Sequence, residues 1–148
     1  MKIFMGADHN GFDMKRELRE ALARAGYDVS DEGDTVHDPH DDFPQFAERV
    51  VRAIQAEHDP DARGILICGS GQGMCIAANR FKGMRASLIW NEHEARAARN
   101  DDDSNILCLP ARSISTQEAV RIAETWLATP FAGAARYKRR IKELDTLG

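Results

Sequence analysis

The sequence is short of positive charge, of paired cysteines and of long hydrophobic runs. Its 148 residues carry 20 Lys and Arg against 24 Asp and Glu, a formal net charge of −4, so no basic field predicts binding to nucleic acid. The cysteines, Cys68, Cys75 and Cys108, are odd in number and lack metal-ligand spacing, which excludes a disulfide framework and favours a reducing compartment. No apolar run approaches the ~20 residues of a bilayer span. Without a signal-peptide pattern, these properties predict a cytoplasmic protein that does not bind membranes.

Short apolar segments alternate with amphipathic ones along the chain. The segments typical of strands are Lys2–Met5, Tyr27–Val29, Ile65–Ile67, Met84–Ile89 and Ile106–Leu109. Between them apolar residues recur at helical spacing, and Ser115 with Glu118 has the capping-box pattern of a helix start. This alternation predicts a parallel sheet with helices on both faces. We therefore predict an α/β fold with three α/β/α layers around a five-stranded parallel sheet (Rossmann-like), as one domain over residues 1–148 with a basic C-terminal helix.

The predicted fold also indicates where a ligand should bind. In open α/β sheets, ligands lie beyond the carboxyl ends of the strands. We expect three loops to meet at that edge, namely Gly6–Phe12, Gly69–Gly73 and Asn100–Asn105. These loops are therefore expected to carry the functional residues.

The stretch Arg63–Asn79, RGILICGSGQGMCIAAN, contains the most informative loop. It predicts a buried strand, a glycine-rich turn and a helix start. Alternate glycines let the backbone approach a ligand, and N–H groups at a helix start favour an anion. Cys68 ends the strand, where a thiol ionises readily enough to act as a base or nucleophile. Alternatively, the glycines only permit tight packing and Cys68 is an inert buried residue. The spacing of the glycines matches neither the dinucleotide-binding fingerprint nor the Walker loop.

Polar residues elsewhere suggest a substrate with hydroxyl and phosphate groups. Asp8 and His9, after the first strand, suit acid–base chemistry or contacts to sugar hydroxyls; alternatively Asp8 caps the next helix and His9 is only exposed. Arg136 and Arg140 share one face of the last helix and suit a phosphate monoester, although a solvated surface has the same pattern. Arg112, after the fifth strand, is a third candidate whose alternative is a surface ion pair.

An acidic segment separates the second strand from the second helix. It contains side chains of the types that bind metals, His37, Asp38, His40, Asp41 and Asp42. Pro39 lies between the two histidines and no helix holds them in register. We expect a solvated loop here and no metal site.

Five stretches are similar to the ribose-5-phosphate isomerase B and galactose-6-phosphate isomerase family. They are MGADHNGFDMK, DDFPQFA, GILICGSGQGMCIAANRFKGMRA, SNILCLPAR and ARYKRRI, and in order they span nearly the whole chain. The resemblance implies an aldose–ketose isomerase that acts on a sugar phosphate through an enediolate, without metal or organic cofactor. Its default substrate is ribose 5-phosphate, converted to ribulose 5-phosphate in the pentose phosphate pathway.

The resemblance also implies roles for individual residues. Cys68 is the base that moves a proton between C1 and C2, Ser70 helps to orient it, and the loop amides stabilise the enediolate oxygen. The implied substrate contacts are Asp8, His9, Gly69, Gly71, Gln72 and Gly73, and the implied phosphate ligands are Arg112, Arg136 and Arg140. The family further implies a homodimer, or a tetramer, in which each site draws residues from both subunits and the basic helix serves the neighbouring site.

Four positions depart from the family pattern. Asp101 replaces a histidine credited with opening the sugar ring, and Asp102 replaces a usual asparagine; both stay candidates, Asp101 as a catalytic residue and Asp102 as a substrate contact. Phe43 replaces a tyrosine. Met74 replaces the glutamate that is the family's other base, which leaves Cys68 as the base candidate.

These departures leave three interpretations open. Asp101 can still act as an acid if burial or the adjacent Asp102 and Asp103 raise its pKa. Alternatively, the substrate is another sugar phosphate, such as a four-carbon one that cannot form a ring and needs no ring-opening group. In the third interpretation the chain is a catalytically impaired paralogue that binds phosphosugars.

Overall fold

The computed structural model describes all 148 residues as eleven elements. In chain order they are β1 Lys2–Ala7, α1 Phe12–Arg24, β2 Asp28–Asp31, α2 Phe43–Ala56, β3 Arg63–Cys68, α3 Gln72–Ala78, β4 Ala86–Leu88, α4 Glu92–Asp102, β5 Ile106–Pro110, α5 Thr116–Ala128 and α6 Ala135–Leu144. None of the helices has the length and apolarity that a membrane crossing requires. All the predicted strands are present, although β4 is shorter than the predicted Met84–Ile89 and β2 extends beyond the predicted Val29.

The strands form one parallel sheet in the order β2-β1-β3-β5-β4. The central strand β3 is buried along its whole length. Its neighbours hold it in register, with Met5 opposite Ile65 on one side and Leu66 opposite Cys108 on the other. The predicted five-stranded parallel sheet is confirmed.

Helices cover both faces of the sheet and bury two apolar clusters. Because side chains alternate along a strand, Ile65 and Ile67 face the cluster that includes Leu18, Leu22 and Trp126, under α1, α4 and α5. Leu66 and Cys68 face the opposite cluster under α2 and α3. Full burial of one large apolar side chain contributes ~1.5–3 kcal/mol, so the two clusters hold the three predicted layers together.

The capping box at the start of α5 is present as predicted. The Glu118 backbone N–H donates to the Ser115 hydroxyl at 3.1 Å, and the Glu118 carboxylate accepts from the Ser115 N–H at 2.7 Å. Two N–H groups that the helix leaves unpaired are thereby satisfied. The start of α5, and with it the loop from β5, is fixed locally.

The expected meeting of three loops is wrong for Asn100–Asn105. This segment precedes β5, and the Asn105 carbonyl accepts from the N–H of Gly64, near the start of β3, at 2.9 Å. It therefore lies at the amino edge of the sheet. The loops around Asp8 and Gly71 follow β1 and β3 and lie at the carboxyl edge, as predicted.

Candidate active site

The glycine loop places unpaired backbone donors directly after Cys68. The N–H groups of Gly69, Ser70, Gly71 and Gly73 donate to no acceptor within the chain. Gln72 differs, because its N–H donates to the Ser70 hydroxyl at 3.3 Å. Adjacent unpaired N–H groups form a concave site for an anion. The loop therefore has the donors that the sequence predicts.

The conformation of this loop requires glycine. Gly71 has φ = 73°, and a Cβ there would lie 2.5 Å from Leu88 Cδ1 and 3.1 Å from the Leu109 carbonyl carbon. The left-handed backbone at the start of α3 and the close approach to β4 and β5 exclude a side chain. Tight packing and the exposed donors are consequences of the same loop geometry, so the two interpretations of the glycines do not compete.

Arg112 lies on the glycine loop, next to Cys68. The Arg112 N–H donates to the Gly69 carbonyl at 2.9 Å, and the Ala111 N–H donates to the Cys68 carbonyl at 2.9 Å. The guanidinium is so close to Gly69 that a Cβ there would lie 2.8 Å from its carbon Cζ. Arg112 is exposed and forms no ion pair within the chain. The alternative of a surface ion pair is therefore wrong, and its cation is available to an anionic ligand.

Cys68 is the last residue of β3 and lies at the carboxyl edge of the sheet. The residue is 5% exposed, and beyond the loop the Phe43 ring lies over Gly73, where a Cβ would be 2.8 Å from its Cζ. The glycine loop therefore lies between the Arg112 guanidinium, next to Gly69, and the Phe43 ring, next to Gly73. Phe43 is thus at the site, as its family position implies, but without a hydroxyl group to donate.

A second thiol, Cys75, is a competing candidate base. It is half-buried in α3, and its Sγ lies 3.3 Å from the Ala86 carbonyl oxygen. A hydrogen bond with Cys108 lowers the pKa of Cys75 to about 7. Cys75 packs against β4, whereas Cys68 adjoins the unpaired amides. Replacing each thiol in turn can therefore show which of the two is the base.

The loop after β1 is held beside Cys68 by the buried Asp8. Its N–H donates to the Ile67 carbonyl at 3.3 Å, and its carboxylate accepts from the N–H groups of Asn10 at 2.9 Å and Gly11 at 3.3 Å. Burial raises the pKa of Asp8. The carboxylate shapes the loop at the carboxyl edge that leads into α1. The alternative that Asp8 caps this helix is wrong, because the N-cap is Gly11 and no side chain bonds there.

His9 makes a contact that the sequence analysis did not predict. Its ring Nδ1 lies 2.7 Å from Asp41 Oδ1, which also accepts from the His9 N–H at 3.0 Å. The Asp41 side chain is 5% exposed, so the expectation of a solvated acidic loop is wrong at this residue. The stretch DDFPQFA, which contains Asp41, is one of the five that resemble the family. That resemblance was the one indication in the sequence that this segment approaches the site.

The remaining candidates form a separate group at the amino edge. Asp101 accepts a hydrogen bond from the Asn100 amide at 2.7 Å, and this bond, a second from Tyr137, and the nearby Arg136 and Arg140 lower its pKa. The suggestion that its neighbours raise the pKa of Asp101 is therefore wrong. These arginines are exposed on α6 and form no ion pairs within 4.0 Å.

The two groups cannot meet within one chain. The pair Gly64–Ile106 lies four residue steps before the pair Cys68–Pro110 along β3 and β5, which is about 13 Å at the rise of a strand. Asp102 also lies at the amino edge, where it lines a cavity of about 690 Å³ that does not include Cys68. One chain thus presents Arg112 beside Cys68, and presents Arg136 and Arg140 at the opposite edge.

No group of three or more His, Cys, Asp or Glu side chains is arranged to hold a metal ion. The chemistry available at the carboxyl edge is therefore that of a thiol, backbone amides, an imidazole and a guanidinium. This combination suits proton transfer at a carbon next to a carbonyl, with an anionic group bound nearby.

The comparison with known proteins agrees with this geometry. A family model described as Ribose/Galactose Isomerase matches residues 3–144. The chain belongs to the ribose/galactose isomerase family. Among its relatives, the probable ribose-5-phosphate isomerase B of Mycoplasma genitalium is 39% identical over 142 residues, which are 96% of this chain and 92% of that protein.

Solved structures of the family share the fold. A ribose-5-phosphate isomerase B from Mycoplasma genitalium with bound ribulose-5-phosphate superposes with a TM-score of 0.92 at 38% identity, covering 97% of this chain and 93% of that one. A ribose 5-phosphate isomerase from Thermotoga maritima gives a TM-score of 0.92 at 40% identity, with 99% and 98% covered. The resemblance found in the sequence is confirmed.

Proposed function

We propose that the protein interconverts ribose 5-phosphate and ribulose 5-phosphate, without metal or organic cofactor. The observation that carries this proposal is the set of four unpaired N–H groups directly after Cys68, with the Arg112 guanidinium over the same loop. Family membership supports it, because the relatives are named for this reaction and one was solved with ribulose-5-phosphate.

In the proposed reaction, Cys68 acts on the open-chain sugar as a thiolate. It removes the proton from C2, and the electrons of that C–H bond form the C1=C2 double bond of the enediolate while O1 becomes negative. The amides of the glycine loop stabilise that oxyanion, and loss of one such donor typically costs ~10²–10³-fold in rate. The O2 proton moves to O1, the Cys68 thiol then returns its proton to C1, and the electrons on O2 form the C2=O2 double bond of the ketone.

Ser70, Gln72, Asp8 and His9 are the remaining contacts in this proposal. Ser70 accepts from the Gln72 N–H and so stabilises the loop that surrounds the oxyanion, consistent with a role in orienting the site. Asp8 and His9 lie on the neighbouring loop at the same edge, where they contact the sugar hydroxyls or the phosphate.

We further propose that a second copy of the chain completes each site. Arg136 and Arg140 are exposed, without ion pairs, and at the wrong edge to assist Arg112 in the same chain. An antiparallel pair would bring the amino edge of one copy to the carboxyl edge of the other and assemble one phosphate site from three arginines. The exposed apolar Ile76 and Trp90, 66% and 53% accessible, offer surface for such a contact.

Asp101 favours a second candidate substrate. Its lowered pKa makes it a carboxylate at neutral pH, so it has no proton to donate to a ring oxygen. An aldotetrose 4-phosphate cannot close a ring, because its terminal oxygen is esterified, and therefore needs no ring-opening acid. A four-carbon sugar phosphate is the alternative substrate that the same Cys68 chemistry would serve.

The test is proton exchange with a panel of sugar phosphates. Four-, five- and six-carbon aldose and ketose phosphates are incubated with the enzyme in deuterated water, and exchange at C1 and C2 is followed by NMR. We expect exchange with ribose 5-phosphate and a loss of at least ~10²-fold in Cys68→Ala, whereas Cys75→Ala retains the parental rate within a few-fold.

Each outcome separates the alternatives. Faster exchange with the four-carbon phosphate than with ribose 5-phosphate would favour the second substrate. Activity that survives Cys68→Ala but not Cys75→Ala would indicate that Cys75 is the base. Absence of exchange with every compound would favour the interpretation that the chain binds phosphosugars without isomerising them.

A further inference from the structure

The three cysteines of the chain lie on the same side of the sheet, and all are free thiols. Cys68 and Cys108 belong to the buried cluster under α2 and α3, and Cys75 packs against that cluster from α3. Cys108 lies opposite Leu66 in the register of β3 and β5, two residues before the pair of Cys68 with Pro110. The proposed isomerisation uses only one of these thiols.

Cys75 and Cys108 are in direct contact across the boundary between α3 and β5. Their thiols form a hydrogen bond with each other. Cys108 is completely buried, whereas Cys75 is half-buried and lies on the same helix face as the exposed Asn79, four residues later. A small solute therefore has access to Cys75, but not to Cys108, while the fold is intact.

Polar groups from three elements surround the Cys75 sulfur. The Asn79 side-chain nitrogen lies 3.6 Å from it, and the Leu88 N–H of β4 and the Cys108 thiol of β5 also donate to it. The Ala86 carbonyl oxygen, 3.3 Å away, accepts from the thiol when it is protonated. The bond with Cys108 contributes most to lowering the pKa of Cys75 to about 7. A large share of Cys75 is therefore thiolate at neutral pH, and the thiolate is the form that reacts with oxidants.

We propose that Cys75 is a peroxide-sensitive thiol and that Cys108 converts its oxidised form into an intramolecular disulfide. The Cys75 thiolate attacks one oxygen of hydrogen peroxide. An S–O bond forms, the O–O bond breaks and the second oxygen leaves as hydroxide, so that the sulfur is oxidised to a sulfenic acid while the peroxide is reduced.

The second step consumes the sulfenic acid. The Cys108 sulfur attacks the Cys75 sulfur, and the S–S bond forms as the S–O bond breaks. The departing hydroxide takes the Cys108 proton and leaves as water. A dithiol reductant reverses the bond by exchange, and in reducing compartments such disulfides are usually transient and serve catalysis or redox sensing.

The disulfide would affect the glycine loop through the start of α3. The Cys75 N–H donates to the Gly71 carbonyl at 3.1 Å, and a Cβ on Gly71 would lie 2.5 Å from Leu88 and 3.1 Å from Leu109. A covalent bond draws the two sulfurs closer together than a hydrogen bond does, and the loop is already packed against β4 and β5. The amides next to Cys68 are therefore displaced. This consequence rests on the proposed function, in which those amides stabilise the oxyanion.

The test is treatment of the purified enzyme with hydrogen peroxide, followed by peptide mass spectrometry and by assay with ribose 5-phosphate. We expect a linked pair of peptides that contain Cys75 and Cys108, with the loss of two hydrogen atoms. We expect kcat to fall by ~10²-fold, the cost of a misplacement of about 1 Å at an active site. A dithiol reductant should separate the peptides and restore the activity.

Three single variants separate the thiols. Cys75→Ser should form no linked pair and should retain its activity at a peroxide dose that inactivates the parental enzyme. Cys108→Ala should stop at the sulfenic acid of Cys75, which dimedone traps. Cys68→Ala lacks the base of the proposed reaction, yet it should form the linked pair at the parental rate.

The same measurements give the results that would overturn the proposal. Equal inactivation of Cys75→Ser and the parental enzyme would show that the sensitive thiol is Cys68. Absence of linked peptides in Cys68→Ala would show that the bond needs Cys68, and a linked pair with unchanged kcat would contradict the effect on the glycine loop. A linked pair in a protein that isomerises nothing would count against the proposed reaction and not against the pairing of the two thiols.

Discussion

Gly69 brings the glycine loop close to the Arg112 guanidinium. The Arg112 guanidinium occupies the space that a side chain at position 69 would need, with Nε 2.9 Å from the position of a Cβ. The obstructing atoms belong to the end of a flexible side chain and not to backbone. An added methyl group would therefore displace Arg112 and leave the fold intact.

We predict that Gly69→Ala weakens substrate binding through Arg112. KM should rise about tenfold, the scale of one lost charged hydrogen bond, with the thermal midpoint almost unchanged. Steady-state kinetics in the parental and Arg112→Ala backgrounds provide the check, because coupled residues show non-additive effects. An equal rise in KM with Arg112 already absent would show that the methyl group acts on something else.

Helix α5 is the element whose stability depends most clearly on local chemistry. Its capping box satisfies two N–H groups with side chains three positions apart in sequence. The inner face of the helix, which includes Trp126, packs against the sheet. Loss of the cap should therefore loosen the first turn and not the buried face.

We predict that Ser115→Ala lowers the free energy of unfolding by about 1 kcal/mol. Urea denaturation measures the change, and the activity of the folded enzyme should remain at the parental level. Ser113→Ala is the matched control, because Ser113 is exposed and its hydroxyl makes no hydrogen bond within the chain. Equal destabilisation by both substitutions would contradict the capping role.

The whole molecule presents its two candidate groups at opposite edges of one sheet. Cys68 and Arg112 lie at the carboxyl edge, and Asp101, Arg136 and Arg140 at the amino edge. A phosphosugar cannot bind both groups of one chain across a strand length of about 13 Å. Two chains per site are therefore the arrangement that the proposed function requires.

We predict that two inactive variants restore each other. Cys68→Ala coexpressed with the double variant Arg136→Ala, Arg140→Ala should regain roughly one quarter of the parental activity, because half the dimers are mixed and each mixed dimer has one intact site. Cys68→Ala paired with Arg112→Ala is the control, since both changes lie at the same edge and no mixed dimer has an intact site. Absence of recovery in the first pair would indicate that each chain works alone.

Much of this protein follows from its sequence alone. Alternating apolar and amphipathic segments determine a parallel α/β sheet, because each buried segment must be covered on both faces. Chain order then places Cys68 and the glycine loop at the end of β3. The same rule places Asn100–Asn105 at the amino edge, because a segment that precedes a parallel strand must lie there.

Only the tertiary structure decided which side chains meet. The contact of Asp41 with His9, the Arg112 guanidinium over Gly69 and the lowered pKa of Asp101 all join residues from different elements. Local patterns record which face of a segment is apolar, but they do not record how loops from separate strands pack against one another. The periodicity of apolar residues therefore determined the fold. The positions and pKa values of the charged side chains at the two edges were determined by contacts between segments that are distant in the chain.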